Sequence, residues 1–436
     1  MPRDSGLSRA VHTWGLAAAI FNTVVGAGIF AVPAALAASA GVYAPFAFLI
    51  CGAGIGSVAI CFAEGGSRIP TSGGPYGYIQ AAFGPAAGYI TGNLYLISDL
   101  LASAGVAAAL GDAAASLFPG VWAAPVRLAV IVAVPGGIAW VNLAGIGGAG
   151  RLVGGVTVLK LLPLAVFLVA GAAATHPANL PAAEPASGGF GRAMILALFA
   201  FTGMEVPLCA SGEIARPERT IPRALAMAML PIVLLYAAIQ LVAQGILGPA
   251  LPHSAAPLAD AMLRIHPALR WMMLGGAALS MLGYLASDIL GTPRLLFAFA
   301  RDGLLPRVLG RVHPNRRVPH IAILTYTALA VVLAASGTFA ELAVLSTLAV
   351  AVVYMLACAA AWALARRGVA EAGEPLQFRW LGAAAASGIG SMLALIAFAA
   401  RNEIAGLVAV AAASGLAYTG IRRARKSRIY SGARNL

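Results

Sequence analysis

Four ionisable side chains stand inside long apolar runs: Asp99, Lys160, Glu205 and Asp288. A charge at membrane depth costs about 3 kcal/mol or more, so such residues are functional candidates. Lys160 lies about nine residues into its run, too deep to reach an interface by stretching its stem. A buried lysine can release a proton. Asp99 and Ser103 are four apart and share one helical face. Two runs also carry helix breakers near their middles. One reads Phe21-Asn22-Thr23-Val24-Val25-Gly26-Ala27-Gly28-Ile29-Phe30, with Pro33 after it. The other reads Phe199-Ala200-Phe201-Thr202-Gly203-Met204-Glu205-Val206-Pro207. A broken helix offers free N–H groups and the positive end of a dipole to an anion, and free carbonyls to a cation. An amino acid zwitterion carries one of each. Two acids without a second buried cation would suit a basic substrate; an acid could equally pair with Lys160 or carry a proton.

The elements that position these residues follow from composition. Of 436 residues, 61% are hydrophobic and 10% charged, and mean hydropathy is +0.89. Soluble domains carry roughly 25% charged residues. The chain therefore reads as an all-α polytopic membrane protein. Apolar runs at 14–39, 44–66, 86–118, 122–144, 152–174, 193–213, 224–248, 269–300, 320–337, 341–366, 380–400 and 403–421 predict about twelve transmembrane helices. The first run is long and a second follows at once, so it reads as a span and not as a cleaved signal. With the N-terminus inside, 22 of the 28 Lys and Arg fall on the cytoplasmic side and five outside. That asymmetry places both termini in the cytoplasm and the protein, multi-pass, in the cytoplasmic (inner) membrane. It also accounts for the net charge of +13 without a nucleic-acid partner.

The four cysteines lie in apolar runs and form no Cys-x-x-Cys pair, and the six histidines lie in loops or span ends. Neither set suggests a metal site. No nucleotide-binding loop is present, and no cofactor is implied. A membrane-embedded enzyme would need a nucleophile–base or metal constellation at membrane depth, and none is found. A channel would want a continuous polar lining, and a sensor a soluble signalling domain. The two breaks fall in runs one and six. Five spans is an odd number, so the second unit is inverted relative to the first, as in inverted-repeat transporters.

Further segments carry a family resemblance. Glu64-Gly65-Gly66-Ser67-Arg68-Ile69-Pro70-Thr71-Ser72-Gly73-Gly74-Pro75-Tyr76-Gly77-Tyr78 resembles the loop after span two of the amino acid–polyamine–organocation transporters. Gly26 to Phe30 resembles their span-one break, Thr157 to Pro163 their span five, Phe199 to Ala224 their span six and the loop after it, and Ala300 to Pro306 the end of span eight. The resemblance implies the LeuT-like five-plus-five inverted repeat, with helices one and six discontinuous. The chain would divide into a cytoplasmic N-terminus (1–13), repeat one (14–174), repeat two (193–366), two further spans (380–421) and a basic cytoplasmic tail (422–436). It implies amino acid transport by alternating access, sodium-independent and proton-coupled as a symporter; the alternative is a cationic amino acid or polyamine antiporter or exporter.

The resemblance also suggests roles. The N–H groups of Ala27, Gly28 and Ile29 would hold a substrate carboxylate. The carbonyls of Val24, Phe199 and Thr202 would hold its amino group. Phe199 would gate, and Gly203 would leave room for the side chain. Ser103 and Asp288 would face the substrate side chain. Lys160 would take the place of sodium, and Glu205 and Asp99 would couple or gate. Ala27 stands where the family pattern has Ser, so carboxylate binding would rest on backbone groups. Glu64 and Arg68, with Arg216, Glu218, Arg219 and Asp302, are candidates for an inner-gate network. The Ala/Gly-rich last two spans could support a homodimer or face lipid.

Overall fold

Lipid supplies no hydrogen-bond partners, so an apolar run must satisfy its own N–H and C=O groups, and an α-helix does so within one segment. The computed structural model describes all residues except 1–8, 27, 116–117, 119, 145, 180–188, 255, 337–338, 372–373, 400 and 433–436. The described residues form helices and short 3-10 turns, with one isolated parallel bridge between Val11 and Ile214.

The helices in chain order are α1 (Thr13–Val24), α2 (Gly28–Ala40), α3 (Ala44–Arg68), α4 (Pro75–Phe83), α5 (Pro85–Ala115), α6 (Ala123–Leu143), α7 (Ile146–Ala173), α8 (Gly189–Phe201), α9 (Pro217–Leu247), α10 (Pro257–Leu263), α11 (Pro267–Gly291), α12 (Pro293–Arg301), α13 (His320–Ser336), α14 (Phe339–Arg366), α15 (Leu381–Ala397) and α16 (Arg401–Gly432). Among the described residues, seven helical stretches are long and apolar enough to cross a membrane. Shorter apolar helices lie at Thr13–Val24, Gly189–Phe201, His320–Ser336, Leu381–Ala397 and Ile404–Gly420. The short helix α10 links α9 to α11.

Two of the apolar runs are interrupted. The first divides into α1 and α2, as the Gly-rich segment predicts. The sixth leaves the α-helix after Phe201, passes through turns at 202–206 and continues as a 3-10 segment, Pro207–Glu213. The eighth stays helical through Thr292 (φ −60°, ψ −33°), and α11 and α12 form one stretch, Pro267–Arg301. Pro293 begins α12 at a position where its missing N–H costs nothing.

Packing brings the breaks together. α1 lies against α7, α9 and α11, and α2 lies against α8. α5 contacts α6, α11, α13 and α14, while α3 contacts α8, α9, α14 and α15. The loop before α4 folds back under the second half of span six. Gly74 has φ +53°, and a Cβ there would sit 3.1 Å from the backbone of Leu208 and Cys209; Gly73 N–H donates to Cys209 O at 2.9 Å. Only glycine allows both this φ and this approach.

Candidate functional site

The centre of the molecule is the break between α1 and α2. Val25 leaves helical geometry (φ −79°, ψ 69°), and Gly26 N–H turns back to Val24 O at 2.8 Å. Several carbonyls at the end of α1 therefore lose helical partners, and side chains from three other helices supply donors. Lys160 of α7 donates from Nζ to Val25 O at 2.6 Å and to Asn22 O at 3.2 Å. Ser280 Oγ of α11 lies 2.6 Å from Val25 O and 3.1 Å from Gly26 O. Tyr236 of α9 donates to Val24 O at 2.8 Å. Asn22 Nδ2 donates to Thr157 Oγ1, one turn before Lys160. Lys160 is wholly buried, with Nζ 5.6 Å from the centroid of the Phe21 ring. Among the described residues it has no carboxylate partner; its charge is met by backbone dipoles and an aromatic face.

The break in span six sits directly opposite. Gly203 has φ +108°, and a Cβ there would lie 2.8 Å from Thr23 Cγ2 and 3.2 Å from Thr23 O. The glycine is required by the backbone and by the approach of α1, whereas the resemblance had suggested room for a substrate. Phe199 O accepts from Thr202 Oγ1 at 2.8 Å. Between the breaks lies a cavity of about 30 Å3, lined by Thr23, Val24, Gly26, Gly28, Phe199, Ala200, Thr202, by Ala102 and Val106 of α5, and by Tyr284 of α11. That is room for one or two water molecules, not for an amino acid. Of the expected substrate-binding residues, Val24, Gly28, Phe199 and Thr202 line it. Ile29 is buried beside it in the first turn of α2, and Ala27 lies outside the described residues.

Ser103 and Asp288 meet each other and do not line this cavity. Asp288 accepts from Ser103 Oγ, from Tyr326 OH at 2.7 Å and from Thr292 Oγ1 at 2.9 Å. Thr292 Oγ1 also lies 2.7 Å from Asp99 Oδ2. The two acids thus join α5 and α13 to span eight at Thr292, and both are buried. Glu205 accepts from Tyr354 OH of α14 and from Gly203 N–H at 3.2 Å. The edge of the Phe62–Tyr354 aromatic pair, 5.4 Å between centroids, closes the space beside it.

At the basic end of the molecule a second set of contacts joins several elements. Arg294 of α12 is buried and its Nε lies 3.1 Å from Glu213 Oε1. Glu213 also accepts Val11 N–H on its backbone carbonyl at 3.0 Å, and Ala215 N–H donates to Val11 O at 2.9 Å. The segment before α1, the end of span six and span eight are thereby joined. Arg68 pairs with Glu64 at 2.7 Å. Asp302 accepts from Tyr76 OH at 2.7 Å and from Arg301. The expected network of Glu64, Arg68, Arg216, Glu218, Arg219 and Asp302 thus contains one described ion pair of its own, Glu64–Arg68. The pair that spans the gap, Glu213–Arg294, was not singled out. Asp112 pairs with Arg127 at the opposite end.

Sequence reasoning also missed Ser280, Tyr236, Thr292, Tyr326 and Tyr354. The only signal was a hydroxyl inside an apolar helix, which is common and unspecific. Among the described residues, no cluster of His, Cys, Asp or Glu could hold a metal ion.

Comparison with known proteins gives the family. The family model described as amino acid permease matches residues 11–418. An uncharacterized transporter of Mycobacterium tuberculosis is 34% identical over 357 residues, covering 79% of this chain and 77% of the relative. The branched-chain amino acid permease BcaP of Lactococcus lactis is 28% identical over 394 residues, covering 84% and 83%. The serine/threonine exchanger SteT of Bacillus subtilis is 28% identical over 383 residues, covering 84% and 86%. The chain is a multi-pass membrane transporter and not an enzyme, and it belongs to the amino acid permease family of the amino acid–polyamine–organocation superfamily.

Proposed function

We propose that the protein moves neutral amino acids with short side chains across the cytoplasmic membrane by alternating access, without sodium and coupled to protons. The observation that carries this reading is Lys160. Its ammonium is held by carbonyls that the span-one break has freed, beside the Ser280 hydroxyl. Carbonyls and a hydroxyl are the ligands a hard cation would take there, so a fixed ammonium makes a bound metal cation unnecessary. A lysine, unlike sodium, can give up its charge as a proton. Twelve spans in a five-plus-five inverted arrangement, with both termini in the cytoplasm, suit this reading and the distribution of arginines.

The substrate class follows from the cavity walls. No carboxylate lines the cavity, and Asp99, Asp288 and Glu205 already accept from hydroxyl or N–H groups. A cationic side chain inside the cavity would therefore touch no carboxylate. The walls nearest a substrate side chain are Ala102, Val106 and Tyr284. Val24 O accepts from Gly26 N–H and from Tyr236 OH, and Phe199 O from Thr202 N–H and Thr202 Oγ1. A carbonyl has two lone pairs, so a substrate amino group would take the place of one of these donors. The free N–H groups at the start of α2 suit a carboxylate.

The test is uptake of a labelled amino acid panel into proteoliposomes without sodium, with and without an inward proton gradient. Gradient-stimulated uptake of alanine, serine or valine supports the reading. Uptake only into preloaded vesicles makes the protein an exchanger, and competition by arginine or ornithine stronger than by alanine overturns the substrate class.

A further inference from the structure

We infer that an anionic phospholipid binds at the basic end of the bundle, with its phosphate between Arg366 and Arg379 and one acyl chain in the groove between α3 and α9. The inference needs only that the chain is membrane-embedded; it stands or falls apart from substrate and coupling.

The groove comes from residue size. Gly52, Gly56 and Ala59 stand on one face of α3, opposite Leu225 and Met229 of α9. The helices touch at Gly52, where an added Cβ would press on Val233, but the space over Gly56 is open: a Cβ there would meet nothing within 4 Å. The result is an apolar trough of about 600 Å3. In a bilayer an apolar trough on the outer face of two helices takes a hydrocarbon chain.

What makes the occupant specific is the end of the trough. Phe378 lines it and also lines a second, polar pocket of about 580 Å3 between the end of α14 and the start of α15. Arg366 and Arg379 line that pocket, and both are exposed. Among the described ion pairs neither guanidinium has an acid partner. Glu64, the carboxylate on the pocket wall, is taken by Arg68 and by Phe378 N–H at 2.9 Å. Each free guanidinium is steered by an indole: Arg366 lies 5.1 Å from the Trp362 ring centroid and Arg379 lies 5.3 Å from that of Trp380. Both tryptophans are exposed, as rings at a membrane interface are. Basic pockets between membrane helices at such a level recognise lipid phosphates, and guanidinium geometry suits them.

The loop between α14 and α15 holds the two halves in register. It is strapped to the end of α3 by Leu376 N–H to Ser67 Oγ at 3.1 Å, Glu371 N–H to Arg68 O at 2.8 Å and the Phe378 bond. A lipid seated here would bridge α3 and α9 to α14 and α15.

Native mass spectrometry of the purified full chain, titrated with phosphatidylglycerol or phosphatidylcholine, tests this. The expected result is a first phosphatidylglycerol that binds the wild type at least about tenfold tighter than phosphatidylcholine. Arg366→Gln with Arg379→Gln should weaken it about thirtyfold, since each basic residue contributes about 1 kcal/mol at an anionic lipid surface. Gly56→Phe should lower occupancy while leaving the arginines in place. A control pair on the same end, Arg307→Gln with Arg311→Gln, should keep the preference. The inference is overturned by any of four results: no preference in the wild type, an equal loss in the control pair, unchanged binding in Gly56→Phe, or competition by soluble glycerophosphate equal to that of the lipid.

Discussion

Replacing Lys160 by methionine keeps the bulk of the side chain and removes its three donors. Two bonds are lost, to Asn22 O and Val25 O. A hydrogen bond from a charged group is worth about 1.5–3 kcal/mol. Ser280 still reaches Val25 O, so only the Asn22 carbonyl loses its described side-chain donor. The lower end of the range therefore applies, about 3 kcal/mol for the pair. At about 1.4 kcal/mol per decade this shifts the equilibrium away from the ordered break roughly a hundredfold, and substrate affinity falls by up to that factor when only that state binds. Lys160→Gln restores a neutral donor, so it should recover part of the affinity yet fail to respond to a proton gradient. The assay is equilibrium binding of the best panel substrate, then uptake with and without an inward proton gradient. Unchanged binding and unchanged gradient response in Lys160→Met would refute the reasoning. Full gradient response in Lys160→Gln would refute the proton assignment alone.

Removing one partner of a buried ion pair leaves an uncompensated charge and costs about 3–5 kcal/mol, so Glu213→Gln or Arg294→Gln should open the basic end. Thiol labelling of a cysteine placed near Cys209 from that side should rise, and the double variant should be less perturbed than the sum of the singles. Gly203→Ala should lower thermal stability by about 1–3 kcal/mol, because φ +108° is strained for alanine and Thr23 cannot withdraw from the added methyl; a melting curve in detergent reads this. Val106→Ala should widen the cavity wall and shift competition toward larger neutral side chains such as leucine and phenylalanine. An unchanged inhibition profile would remove Val106 from the specificity wall.

The breaks in spans one and six were legible because Gly and Pro act on the backbone of their own segment. Lys160 and the three acids were legible because a charge stands out against an apolar run whatever its partner. Asp288 and Ser103 were found, but their direction was not. The resemblance aimed them at a substrate, whereas they meet each other, Tyr326 and Thr292. Glu213 and Arg294 were read past because each sits in a charged loop or span end where charges are ordinary.

The amino-acid sequence by itself determined the solvent, the helices, and the places where the chain would not stay helical. These are local: hydropathy sums over one segment, and a glycine or proline changes the backbone where it stands. Only the tertiary structure decided which side chains answer the freed carbonyls and buried acids. Lys160 and Ser280 come to the same break from residues 138 and 255 positions away. A serine or tyrosine in an apolar helix reads the same whether it faces lipid, a neighbouring carbonyl or a carboxylate. Its face is set by the rotation of that helix against its neighbours, and in a bilayer that rotation is chosen by close packing and interhelical hydrogen bonds. Those are properties of pairs of helices, which no single segment contains.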